Sequence, residues 1–165
     1  MQLVRLMLRL LMHKLGLREV CPKAKINPVI SIPKHAFFKL RNRYLADTLI
    51  RFLKSKTPSG CVRIGLTNKD ISHTKGNIKD YEIMGLGYRP GSSCIISNYR
   101  LDKINLNEQL FKLAVHERGH TQGLSHCSIK PCYMRDAEGK KHKDEETGFY
   151  SKSMQYLKSQ GWKLN

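Results

Sequence analysis

Apolar and polar residues alternate along the chain with periods that predict a mixture of helices and strands. Between residues 41 and 54 the apolar positions recur every three or four residues, as on one face of an amphipathic helix. The apolar runs at 61–67 and 93–98 are typical of strands, and a further strand is predicted at 81–86. The polar, glycine-containing stretch at 68–80 is predicted to be a loop.

Two further helices are predicted in the C-terminal half of the chain. One begins near Asn105, with Glu108 three positions later as its partner in a capping pair. The other follows a charged loop at 135–146 and runs through Leu157. The first is expected to pack on the sheet through Leu110, Leu113 and Ala114, and the second has a predicted apolar side of Phe149, Tyr150, Tyr156 and Leu157.

Helices mixed with strands in a chain of 165 residues predict one domain of the α/β (α+β) class, with a mixed twisted sheet packed on helices. Residues 21–165 are assigned to this domain. Residues 1–20 are assigned to an amphipathic helical extension, because Arg5 and Arg9 interrupt an apolar run. That interruption argues against a signal peptide or a transmembrane helix. The extension is expected to pack on the domain, and membrane-surface contact through residues 1–14 is the less favoured alternative.

The composition is that of a folded protein with a strongly basic surface. Hydrophobic residues make up 40% of the chain and charged residues 26%, which argues against a disordered protein. The net charge of +17 would attract nucleic acid, an anionic membrane or acidic peptides. The basic residues are scattered, so no specific nucleic-acid partner is predicted. Five cysteines without the spacing of a secreted disulfide scaffold favour the cytoplasm over secretion, and we expect a monomer.

The most informative stretch of the chain is H-E-R-G-H-T-Q-G-L-S-H at residues 116–126. On a helix, His116 and His120 lie one turn apart on the same face and can reach one zinc ion, with Glu117 beside them. A zinc hydrolase needs three protein ligands and an open fourth position for water. Gly123 can adopt the left-handed conformation that ends a helix, which allows His126 to return as the third ligand.

The residue types predict the chemistry. Zinc held by three neutral histidines lowers the pKa of its bound water to about 7. Glu117 is the predicted general base, which takes a proton from this water during attack on a peptide carbonyl and later passes it to the leaving amine. The predicted function is therefore that of a zinc metallopeptidase, either an endopeptidase or an aminopeptidase.

The motif at 116–126, followed by Cys127, Cys132 and Met134, resembles the archaemetzincins of the metzincin clan. The likeness extends from about Ile32 to the C-terminus. It implies a metzincin-like domain with an active-site helix, a zinc cleft and a small C-terminal lobe. It also implies that Met134 is the methionine of the turn beneath the metal, and that an edge strand at 81–87 holds an extended substrate by strand addition.

The chain departs from this family at one place. Archaemetzincins carry a second, structural zinc bound by four cysteines, two of which match Cys127 and Cys132. Where the later pair is expected, this chain has Tyr150 and Ser153. Two thiolates do not complete a tetrahedral site, so one catalytic zinc is predicted and the structural zinc is predicted to be absent. Cys127 and Cys132 are then either a disulfide or two free thiols.

Two other functions fit part of the sequence. The high positive charge is compatible with a basic nucleic-acid-binding protein in which zinc is structural. An inactive protein that keeps zinc only for stability and binds a partner would also retain the three histidines. Glu117 beside a complete histidine set favours the peptidase over both.

Overall fold

The computed structural model describes residues 23–136 and 143–164. The predicted helical extension at 1–20, including the proposed membrane contact through 1–14, lies outside the described residues. Residues 24–33 have no regular secondary structure. No helix among the described residues is long and apolar enough to cross a membrane.

Strands dominate the N-terminal half of the described chain, and helices the C-terminal half. The elements are β1 (Phe37–Phe38), β2 (Arg43–Leu45), α1 (Ala46–Lys54), β3 (Arg63–Thr67), β4 (Ile71–Lys75), β5 (Ile78–Ile83), β6 (Gly85–Gly87), β7 (Ser93–Ser97), α2 (Leu106–Thr121) and α3 (Ser151–Ser159). Short 3-10 turns lie at Lys34–Ala36, Lys39–Arg41 and Lys143–Glu145.

The strands form two mixed sheets rather than the single sheet that the sequence predicted. One has the order β1-β2-β4-β5 and the other the order β3-β7-β6. Each contains one parallel pair, β2 with β4 and β3 with β7, beside antiparallel neighbours. Met84 alone separates β5 from β6, and its carbonyl accepts a hydrogen bond from the Ser97 N–H at 2.7 Å. The two sheets are therefore linked at this residue, and the α/β fold class is confirmed.

Two local predictions were wrong because long-range pairing overrides local composition. The stretch at 68–80 is not a loop: it contains β4 and the start of β5, and Ile71 in β4 is completely buried between β2 and β5. The helix predicted at 41–54 begins only at Ala46. Residues 43–45 form β2 instead, where the Tyr44 N–H donates to the Asp70 carbonyl at 2.9 Å.

Two predictions about helix ends and faces also need correction. Helix α2 does follow Asn105, but no side chain caps it, and the Asn105 amide instead lies 3.5 Å from the Asp144 carboxylate. Leu157 of α3 is buried as predicted, together with Phe149. Tyr150 and Tyr156 are exposed, so they do not belong to the apolar side of this helix.

The central strand β7 carries the core on both of its faces. Successive side chains of a strand point to opposite sides of a sheet. Ile95 packs in the cluster of α1, and Ile96 packs in the cluster of α2. The expected face of α2, which is Leu110, Leu113 and Ala114, is confirmed as the part of this helix that packs beneath the sheet. Burial of this face sets the position of the motif helix.

A third apolar cluster forms the C-terminal lobe under the motif helix. Its buried members are Val115, Cys132, Met134, Phe149, Leu157 and Trp162. Val115 belongs to α2, so the lobe packs directly against the helix that carries the histidines.

The edge strand β6 approaches the motif helix very closely. A Cβ atom added at Gly87 would lie 2.5 Å from the backbone carbonyl oxygen of Glu117. Backbone atoms of a packed helix cannot move aside cheaply, so Gly87 is required for this contact.

We therefore expect Gly87→Ala to lower the free energy of unfolding by about 1–3 kcal/mol, the usual cost of overpacking. Urea denaturation measures this loss. Gly148→Ala is the matched control, because a Cβ at that position meets no atom within 4 Å. Equal stability of the two variants would contradict the close helix–strand contact.

Candidate metal centre

The side chains of His116, His120 and His126 converge on one point. Their Nε2 atoms are 3.1 Å apart between His116 and His120, and 3.2 Å apart between His120 and His126. Helix α2 supplies the first two histidines from adjacent turns. Among the described residues these three form the one group of histidine, cysteine and carboxylate side chains close enough to hold a metal ion.

Helix α2 ends where the sequence predicts. Gly123 has a φ of 99°, and its N–H donates to the His120 carbonyl at 2.9 Å. The Leu124 N–H bonds to the Gly119 carbonyl at 3.1 Å, which closes the last turn. The chain reverses direction here and returns His126 to the other two histidines.

The partners of the Nδ1 atoms determine the protonation of the rings. His116 Nδ1 lies 2.6 Å from the Tyr133 carbonyl oxygen, and His120 Nδ1 lies 2.8 Å from the Leu124 carbonyl oxygen. A carbonyl oxygen only accepts hydrogen bonds, so Nδ1 carries the proton in both neutral rings. In this tautomer the Nε2 atoms have lone pairs directed toward one another. A metal ion between them can accept all of these lone pairs.

The geometry fits zinc. A tetrahedral ion with Zn–N bonds of 2.0–2.1 Å holds its nitrogen ligands about 3.3 Å apart. The observed Nε2 separations of 3.1 and 3.2 Å are close to this value. Orientation of metal-binding histidines through backbone carbonyls is also the usual arrangement in zinc sites.

Asp136 contacts the third histidine and was not found from the sequence. Its Oδ2 atom lies 3.3 Å from His126 Nδ1. In known metal sites a carboxylate beside Nδ1 holds the imidazole so that Nε2 can bind the ion. No motif marks Asp136, and its proximity to His126 arises because the Cys127 N–H bonds to the Met134 carbonyl at 2.8 Å, which folds the loop back.

Glu117 is buried beside the histidines, at the point where the edge strand crosses the helix. It retains only 5% of its exposure. A Cβ added at Gly85 would lie 2.6 Å from Glu117 Oε1, so the absence of a side chain in β6 makes room for this carboxylate. Glu117 and all three histidines line the same cleft.

Met134 lies beneath α2, completely buried. Its Sδ atom is 2.5 Å from the position of a Cβ at Gly119, so a larger residue at 119 would displace it. The preceding Tyr133 supplies the carbonyl that orients His116. The turn at 133–134 therefore supports the floor of the site and the orientation of one histidine.

Cys127 and Cys132 are free thiols, one of the two states that the sequence left open. Cys132 is buried, and its Sγ accepts a hydrogen bond from the Met134 N–H at 3.4 Å. Burial, and to a smaller degree the adjacent Cys127, raises the pKa of the Cys132 thiol.

The cleft has a volume of ≈ 1110 Å³. Residues 81–87 of β5 and β6 form one wall, and each of these two strands is the last strand of its sheet. The predicted substrate-binding segment at 81–87 therefore lies at a sheet edge beside the histidines.

An ion-pair network that sequence patterns did not reveal fixes this wall to the rest of the fold. Asp70 accepts a hydrogen bond from Arg43 at 2.9 Å. It also accepts two from Arg100, whose Nε and Nη2 atoms each lie 2.7 Å from the carboxylate. Glu82 of β5 binds both arginines, and Asp80 binds Arg43 at 3.0 Å. Three acidic residues thus hold two arginines drawn from distant parts of the chain.

The fold, and a cleft lined by three histidines close enough to hold a metal ion, fit a metallopeptidase. The chain matches peptidase family M54 over residues 7–158 and belongs to it, a family of zinc metallopeptidases. The match starts within the stretch at 1–20, earlier than the position near Ile32 where the motif likeness began. The division into an extension and a domain stays a prediction.

Relatives and solved structures agree with this family. The chain is 35% identical to the archaemetzincin of Haloarcula marismortui over 133 residues, 72% of this chain and 73% of that protein. It is 34% identical to the archaemetzincin of Haloquadratum walsbyi over 116 residues, 63% of this chain and 64% of that protein. The chain thus spans about two thirds of the length of these relatives.

Two crystal structures show the same fold. The archaemetzincin of Methanopyrus kandleri superposes with a TM-score of 0.78 at 23% identity, covering 96% of this chain and 88% of the other. A zinc-dependent peptidase from Methanocorpusculum labreanum superposes with a TM-score of 0.74 at 21% identity, covering 92% and 93%.

The network around Asp70 predicts a pH dependence of stability. Burial raises the pKa of Asp70, but hydrogen bonds and charges from Arg100 and Arg43 outweigh it, and the net pKa is lowered. A carboxylate with a lowered folded-state pKa stabilises the protein above its unfolded pKa, near 3.9, and this contribution is lost as the pH falls through the folded pKa.

We expect Asp70→Asn to be less stable than the parent at neutral pH, with a difference that shrinks below about pH 4. Urea denaturation of the zinc-free proteins between neutral pH and about pH 4 or below measures this difference in stability. Changes in histidine protonation affect both proteins equally and cancel in the difference. Asp102→Asn is the control, since this carboxylate forms no ion pair with a described residue. A difference for Asp70→Asn that stays constant with pH would contradict the prediction.

Proposed function

We propose that this chain hydrolyses peptide bonds with a zinc ion held by His116, His120 and His126. The observation that carries the proposal is the convergence of three Nε2 atoms whose Nδ1 partners are two carbonyls and one carboxylate. Such an arrangement leaves three neutral nitrogen ligands and an open side toward the cleft, as a catalytic zinc site requires.

Glu117 is the proposed general base. When bound, zinc supplies a Lewis acid for the peptide carbonyl and lowers the pKa of a coordinated water to about 7. The Glu117 carboxylate faces the same cleft as the histidines and takes a proton from the attacking water. The same carboxyl group then delivers this proton to the leaving amine. Glu117 is only 5% exposed, so few bulk water molecules can compete with the attacking water for its carboxylate.

The substrate is proposed to bind as an extra strand along β5 and β6. A peptide extended antiparallel to residues 81–87 can form main-chain hydrogen bonds with the free edge and pass over the histidines. Gly85 lies opposite the Glu117 carboxylate, so the bond to be cleaved is placed at this level of the strand. An edge that pairs through backbone atoms accepts many sequences, in keeping with a peptidase for peptide or protein substrates.

We further propose that the chain binds one zinc ion and no structural zinc. Cys127 and Cys132 are adjacent to each other, but Tyr150 and Ser153 stand at the positions of the family's second cysteine pair. Tyr150 is exposed, and neither of these hydroxyls is a usual zinc ligand. Two thiols alone do not complete a tetrahedral site.

Nucleic-acid binding remains the alternative from another class, supported by the net charge of +17. An inactive zinc-stabilised protein is the other alternative. The peptidase is favoured over both because a buried glutamate, three convergent histidines and a free strand edge line one cleft. A cytoplasmic location and a monomeric state stay predictions from the sequence.

Glu117→Gln is expected to lower peptide cleavage by about 10²–10⁴-fold, because the amide cannot accept the proton of the water. Zinc content should be unchanged. A diverse peptide mixture incubated with the zinc-loaded protein, with products identified by mass spectrometry, measures cleavage. Glu145→Gln is the matched control, since this glutamate lies outside the cleft and pairs with Arg135.

Cleavage by the parent and by Glu145→Gln, with loss in Glu117→Gln, would support the peptidase. If the zinc-loaded parent cuts no peptide, an inactive binding protein is favoured. Salt-sensitive binding to nucleic acid that persists after zinc removal would favour the nucleic-acid alternative.

Metal analysis of purified protein is expected to give one zinc per chain. The double variant Cys127→Ser, Cys132→Ser should keep that zinc, whereas His126→Ala should bind it more weakly in a chelator competition, because a three-ligand site loses one ligand. Two zinc ions in the parent and one in the cysteine variant would contradict the absence of a structural zinc.

A further inference from the structure

The wall of the cleft carries exposed cations at one end. The hairpin between β4 and β5 places Lys75 and Lys79 there, and we call these two residues the hairpin lysines. Both are exposed and both line the cleft that contains the three histidines. The Lys75 ammonium group lies 4.9 Å from the centre of the Tyr81 ring, so this charge sits over β5 at the level of Tyr81.

The acidic side chains on the same wall are already engaged. Asp80 and Glu82 form ion pairs with Arg43, and Glu82 also binds Arg100 at 2.6 Å. These contacts neutralise the two carboxylates, although the Glu82 side chain is half exposed. The hairpin lysines form no ion pair with another described residue. Their charges therefore face the cleft, where a ligand can meet them.

The distance of the hairpin lysines from the site follows from the number of strand residues between them. Gly85 marks the level of the Glu117 carboxylate. Tyr81 precedes Gly85 by four residues, which corresponds to about 13 Å along a strand. A substrate antiparallel to β5 and β6 runs from Gly87 toward Tyr81, so its C-terminal part approaches the hairpin. The residue opposite Tyr81 is then about four positions beyond the cleaved bond.

We propose that this peptidase prefers extended substrates with acidic side chains three to five residues C-terminal to the cleaved bond, where the hairpin lysines bind them. The proposal rests on the function proposed above and specifies its substrate class. Opposite charges at an exposed site attract modestly, and salt weakens the attraction. Two such contacts are expected to raise kcat/KM by about three- to tenfold at low ionic strength, with a smaller effect at high salt.

The test uses three peptides that share one cleavable sequence and differ at the third to fifth positions after the cleaved bond, which carry Glu, Gln or Lys. Cleavage rates and cut positions are measured by mass spectrometry for three zinc-loaded proteins. These are the parent chain, the double variant Lys75→Glu, Lys79→Glu, and the double variant Lys152→Glu, Lys158→Glu. The last makes the same charge change on α3, outside the cleft.

We expect the parent and the α3 variant to cleave the Glu peptide fastest and the Lys peptide slowest. The hairpin variant should reverse this order. The same peptides with the charged block on the N-terminal side should show a weaker preference. Equal cleavage of all three peptides by the parent, or a preference that the hairpin variant retains, would overturn the substrate preference but leave the peptidase intact. Failure of the parent to cleave even the Gln peptides would overturn both.

Discussion

The site depends on the hydrogen bonds that fix the backs of the histidine rings. Tyr133 and Leu124 offer carbonyl oxygens to His116 and His120, and these contacts favour the neutral tautomer with the proton on Nδ1. The lone pairs of Nε2 are then directed at one point, where a metal ion can bind them. The turn at 133–134 and the end of α2 therefore orient two of the three histidines.

The open cleft depends on a second constraint, the close approach of an edge strand to the motif helix. Gly85 leaves room for the Glu117 carboxylate, and Gly87 lies against the Glu117 backbone. The other end of this cleft wall is anchored by Arg43 and Arg100, which form ion pairs with acidic residues. An edge strand held at its far end can keep its outer backbone groups available while the rest of the fold stays packed. The same anchoring pairs the acidic side chains with arginines, so the hairpin lysines add positive charge to that end of the cleft.

The C-terminal lobe is held by aromatic packing. The Phe149 ring lies 5.3 Å from that of Tyr133 and 5.9 Å from that of Trp162, both nearly edge-on. Arg118 of α2 stacks 4.1 Å from the Trp162 ring, which ties the end of the chain to the motif helix. Trp162, the chain's one tryptophan, had no assigned role in the sequence, although it buries more surface than most residues. This cluster surrounds the buried Cys132 and Met134, so apolar and aromatic contacts hold the lobe against the motif helix.

The sequence by itself determined the helix of the motif, its end at Gly123, the gathering of three histidines, and the face of Leu110, Leu113 and Ala114. These depend on helical periodicity and on the backbone freedom of glycine, which are properties of neighbouring residues. Only the tertiary structure decided that β4 exists at 71–75, that Asp136 meets His126, and that Arg43 forms ion pairs instead of starting a helix. Each of these requires partners distant in the chain, and no local pattern encodes which distant residue will supply a hydrogen bond. The histidine motif and its helix could therefore be predicted from the sequence, whereas the long-range contacts that orient the site depend on packing.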